Sequence, residues 1–85
     1  MAEPHAKIIK RNGSDFEVAE KIGAKAYQVR DWRLRNSIPA EQWKPFADHE
    51  MASLDELAEA ATEWASLSTE QKKRVRRELQ EGFAA

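Results

Sequence analysis

Cysteine is absent from this 85-residue chain. That excludes disulfides, thiolate zinc sites and thiol nucleophiles, and it fits a reducing interior. The two histidines, His5 and His49, are far apart and sit in no metal-ligand spacing. With three glycines in all, there is no Gly-rich phosphate loop. No apolar stretch is long enough to span a bilayer, and MAEPHAKIIKR lacks the apolar run of a signal peptide. The expected location is the cytoplasm. A strong excess of one charge is also missing: the net charge is −1 and the pI about 6.1. A protein that coats nucleic acid indiscriminately is therefore excluded. Neither an enzyme nor a cofactor is expected. Asp48, His49 and Glu50, adjacent in sequence, read as a polar helix end and not as a site.

What remains is a small helical protein, 41% hydrophobic and 34% charged. At this length roughly 60–65% of the unfolded surface becomes buried, so a partner chain could supply missing burial. The charges are unevenly spread. Residues 1–47 carry nine Lys/Arg against six Asp/Glu, and residues 48–85 five against nine. Asp48 to Glu70 contains seven acids and no base; then Lys72, Lys73, Arg74, Arg76 and Arg77 follow closely. The composition shift is expected to divide an N-terminal domain (1–47) from a helical C-terminal extension (48–85).

The organising stretch is Asp15 to Leu34. Val18, Ile22, Val29 and Trp32 form one apolar seam across two short helices, with Gly23 at the corner, where a left-handed backbone costs glycine nothing. Ala19 lets the second helix cross close by. This is a helix-turn-helix pattern. A first helix starts near Pro4 and ends at Asn12-Gly13, with Ile8 and Ile9 inward. Its three cations face either solvent or phosphate. Ser14 and Glu17 make a capping box, and Phe16, Val18, Ala19 and Ile22 are expected inward. The third helix runs from about Ala26 to Arg35. At 100° per residue, Tyr27, Arg30, Asp31 and Leu34 oppose Val29 and Trp32. Pro39 opens a fourth helix to about Ala47, short or kinked because of Pro45, with Ile38, Trp43 and Phe46 in the core. Ser53/Glu56 and Ser68/Gln71 cap two further helices, joined at Leu67-Ser68 into a hairpin. The expected fold is all-α, a bundle of about four helices with a C-terminal helical hairpin.

Ala19, Gly23, Val29 and Trp32, followed by Arg35 to Trp43 as R-x-S-I-P-A-x-x-W, resemble the lambda-repressor-like, Cro/C1-type regulators and the small Cro-like and YdaS-like proteins of phages and prophages. The resemblance covers about residues 4–47. It implies a lambda-repressor-like fold and base reading by Lys25, Ala26, Tyr27, Arg30 and Asp31, with Ser14 near phosphate. One departure is Lys25, where the family often has a capping Ser or Thr. Asp15 would itself repel phosphate.

The chemistry of the outward face agrees with major-groove reading. The guanidinium of Arg30 matches a guanine edge or phosphate, and that of Arg33 phosphate before base. Gln28 suits adenine, and Tyr27 a thymine methyl or phosphate. Asp31 either accepts from cytosine or pairs with Arg35 along the helix. Trp32 and Trp43 are core, not stacking platforms. One such helix reads few base pairs, so a homodimer on a palindromic operator is expected, about 34–36 Å between recognition helices. Trp64, Leu67, Val75, Leu79 and Phe83 would form its interface, or else fold back on their own domain. The basic run 72–77 is a solvated face, a partner for the acidic helix, or a backbone contact. The expected function is a sequence-specific DNA-binding repressor. The alternative is a protein-interaction module or antitoxin that kept the shape, using the acidic C-terminal helices for its partner.

Overall fold

In a computed structural model the described residues are 3–84, with side chains through Glu81. They form six α-helices: α1 (His5–Arg11), α2 (Asp15–Ile22), α3 (Ala26–Arg35), α4 (Trp43–Asp48), α5 (Leu54–Ala65) and α6 (Thr69–Ala84). A 3₁₀ turn, Ala40–Gln42, precedes α4, and no strand occurs among the described residues. No described helix is long and apolar enough to cross a membrane.

Serine starts three of these helices for one reason. Each has an unpaired set of N–H groups at its first turn, and Ser14, Ser53 and Ser68 each accept one of them while a residue three positions on, Glu17, Glu56 or Gln71, accepts the serine's own N–H. Pro4 has no such side chain. Instead Asn36, from beyond α3, takes the Ala6 N–H on its Oδ1 at 2.9 Å.

Three helices stop in the same way. After α2, α3 and α4 the chain turns left-handed at Gly23 (φ 73°), Asn36 (φ 57°) and Glu50 (φ 56°). In each case the next N–H reaches back five residues: Ala24 to the Ala19 carbonyl, Ser37 to Trp32 and Met51 to Phe46. Pro45 is tolerated in α4 because it lies in the first turn, where its missing N–H has no partner to lose. The expected fourth helix is thus a 3₁₀ turn followed by six α-helical residues.

The core joins Ile8, Ile9, Val18, Ala19, Val29, Trp32, Ile38 and Phe46 to Met51, Ala52 and Leu57. It runs past position 48 without a break, so the change of composition there is one of charge, not of packing. Burial of each large side chain contributes about 1.5–3 kcal/mol. Trp43 packs at the edge of this core, and its indole N–H donates to the Ile38 carbonyl at 2.8 Å. Phe16 departs from expectation. It is 61% exposed, because it lies about 200° around α2 from Val18.

Arg11 ties the two halves together. Its guanidinium donates to Glu3, to Glu56 and to the Met51 carbonyl, which also accepts from Asn12. The bond to Arg11 holds the Glu56 carboxyl below the usual carboxylate range, and Glu56 in turn raises the Arg11 pKa. α6 returns to pack against α3, and its Leu79 is buried.

Candidate nucleic-acid interface

α2 and α3 meet through a three-residue turn, Gly23-Ala24-Lys25. Ala19 is buried at their crossing. A second lock lies at the rim: Arg33 grips Asp15 with two bonds, Nε to Oδ1 at 3.0 Å and Nη2 to Oδ2 at 3.1 Å. Both side chains are largely covered, at 17% and 23% exposure. This changes the expected role of Arg33. Its Nε and Nη2 are bonded to a carboxylate that ties α3 to the start of α2, so this side chain positions α3. Asp15, which looked only repulsive toward phosphate, is what orients it.

Lys25 cannot accept a hydrogen bond, and no side-chain oxygen at that position caps α3. Gln28 supplies half of the missing cap. Its Oε1 accepts the Lys25 N–H at 3.0 Å, which leaves the Gln28 amide N–H₂ as the group able to meet a base. Ser14 is exposed, and its hydroxyl oxygen is held by the Glu17 N–H at 3.1 Å. The Ser14 N–H, donated to the Glu17 carboxyl, holds that carboxyl below the usual range.

On the outer side of α3, Tyr27 is 67% exposed. Lys25, Gln28, Arg30, Asp31 and Arg35 are also exposed, and Ala26 is half-buried. Asp31 and Arg35 form the i,i+4 pair, Nε to Oδ1 at 3.1 Å, open to solvent. Exposed pairs of this kind are weak, about 0.3–0.5 kcal/mol, and a base edge can compete for either member. Arg30 has no bond or ion pair among the described residues. It borders an open hollow of about 560 Å³ lined by Tyr27, Gln28, Asp31, Trp32 and Leu34. Leu34 is half-buried although it lies at the centre of this face by helical phase.

The surface expected to dimerise divides. Leu79 is 8% exposed and belongs to its own fold, a correction to its reading as an interface residue. The cause is the return of α6 onto α3. Trp64, Leu67 and Val75 are half-buried and line an open groove of about 350 Å³ with Pro4, Lys7, Asn36, Ala60 and Glu63. The side chain of Phe83 lies outside the described residues. Two cations of the basic run sit over the Trp64 ring, Lys72 at 5.8 Å and Arg76 at 5.4 Å from its centroid. None of the three simple expectations for that run included an aromatic partner.

No group of three metal-ligating side chains comes together among the described residues. No family model matches the chain, and no curated protein and no solved structure matches it either.

Proposed function

We propose that the protein binds double-stranded DNA sequence-specifically through α3 and regulates transcription, most simply as a Cro-like repressor. In this reading α2 and α3 are a lambda-repressor-like helix-turn-helix. The single observation that carries it is the unpaired Arg30 guanidinium beside exposed Tyr27, on a helix whose opposite face is pinned by Val29, Trp32 and the Asp15–Arg33 fork. A rigid helix presenting an unspent guanidinium matches what a major groove requires.

A homodimer is part of the proposal. Exposed Asp55 and Glu59 on α5 are unbonded to exposed Lys73, Arg74 and Arg77 on α6 among the described residues. A second copy turned about a two-fold axis that set acidic α5 against basic α6 would pair these charges.

The test is selection of bound duplexes from a random pool, followed by fluorescence anisotropy across a salt series. The expected result is an enriched two-fold-symmetric site and an affinity that falls steeply with salt, as counterion release requires. No retained duplex at low salt would overturn the DNA reading and favour the protein-interaction module, for which the exposed acids of 48–63 are the available surface.

A further inference from the structure

His5 opens α1, yet it is only 3% exposed. Both ring nitrogens are engaged. The Ile38 N–H donates to Nδ1 at 2.9 Å, so Nδ1 carries no proton. The proton sits on Nε2, which donates to the Leu57 carbonyl at 2.8 Å. The ring meets Trp43 edge-on, with centroids 6.0 Å apart. One neutral imidazole therefore fastens the start of α1, the segment that follows α3, and the first turn of α5. Beside it the Ala6–Asn36 bond makes a second tie between α1 and the end of α3.

Among the described residues no charged group acts on this ring. Lys7 on α1, Arg35 at the end of α3, Glu41 and Lys44 before and on α4, and Asp55 on α5 are exposed, and Glu56 is bonded to Arg11. Burial lowers the proton affinity of the ring, against a smaller opposing effect of the Leu57 carbonyl.

We propose that His5 is an acid-operated latch: a proton added at Nδ1 opposes one donor to another at Ile38, frees the end of α3 from α1 and α5, and so releases DNA. The release step rests on the DNA reading; the latch does not. The direction follows from linkage. The closed form binds the proton less well than the open one, so closure is complete above about pH 6.5, where a free histidine titrates, and weakens as the pH falls below it.

Long-range proton–nitrogen spectra of the full chain at pH 7.5 should show the Nε2–H tautomer of His5. On titration to pH 5, protonation of His5 should coincide with loss of hydrogen-exchange protection at the Ile38 and Ala6 amides. An Nδ1–H tautomer, or a protonated His5 with Ile38 still protected, overturns the latch. By denaturant unfolding, the unfolding constant should rise by up to about tenfold per pH unit below 6.5. His5→Gln, which offers an oxygen to Ile38 and a donor to Leu57 without titrating, should flatten that rise, whereas exposed His49→Gln should not. Should His5→Gln not fold, the spectra of the unaltered chain decide. A selected duplex should leave in the same interval. A duplex retained by the opened protein overturns the release step, and one that never binds overturns the DNA reading while the latch measurements stand.

Discussion

Arg30 and Arg33 lie three positions apart on one helix, and nothing about arginine distinguishes them. The structure separates them by what they touch. Arg30→Ala should weaken binding to a selected site by about 1–3 kcal/mol and leave the melting temperature unchanged. Arg33→Ala strands a partly covered Asp15 and should cost about 1–2 kcal/mol of stability, read by denaturant unfolding, with any loss of DNA binding following from the loosened α3. Glu50 makes the opposite case. It is exposed and sits at φ 56°, a conformation that costs a side-chain-bearing residue about 1–2 kcal/mol. Glycine is freer in the unfolded chain, which offsets part of that. Glu50→Gly should therefore stabilise by up to about 1 kcal/mol, seen as a raised denaturant midpoint.

At the scale of elements, the helix starts were readable because a capping box is a local pattern: serine and its partner are three residues apart, and all three pairs are bonded as expected. The seam of Val18, Ile22, Val29 and Trp32 was readable for the same reason, being periodic. What lay out of reach was interaction between elements. Asp15 and Arg33 are 18 residues apart and His5 and Leu57 are 52 apart, and no helical spacing links such pairs. Asn36 reads as the end of α3, but its second task, capping α1, depends on where α1 lies. Asn36→Gly should keep the left-handed turn and lose the cap, leaving the buried Ala6 N–H without its acceptor, at about 1–3 kcal/mol. Phe16 reads as inward by its apolar character, but its phase about 200° from Val18 turns it to solvent. For α6, Leu79→Ala should cost about 2–5 kcal/mol, since Leu79 is the buried large apolar side chain of α6 among the described residues.

For the whole molecule, size limits what one copy can do. Its longest extent is 33 Å, and it carries one α3, whereas successive major-groove faces on one side of a duplex lie about 34–36 Å apart. Two copies are needed to read a symmetric site. Sedimentation should show a dimer at micromolar concentration, and Trp64→Glu, in the groove it lines with Leu67 and Val75, should shift it to monomer. Acid acts at the same scale. The Glu56 carboxyl, held below its usual range by Arg11, contributes stability that is complete above the ordinary glutamate pKa and lost as the pH falls through the lowered value, a loss that begins at lower pH than that of His5.

The outer face of α3 as the reading surface is tested most directly by mapping amide shifts of the nitrogen-15-labelled protein as a selected duplex is added. The account predicts the largest shifts at Tyr27, Gln28, Arg30 and Asp31, with α5 little changed. Shifts confined to α5 and α6, with the α3 amides unmoved, would contradict it.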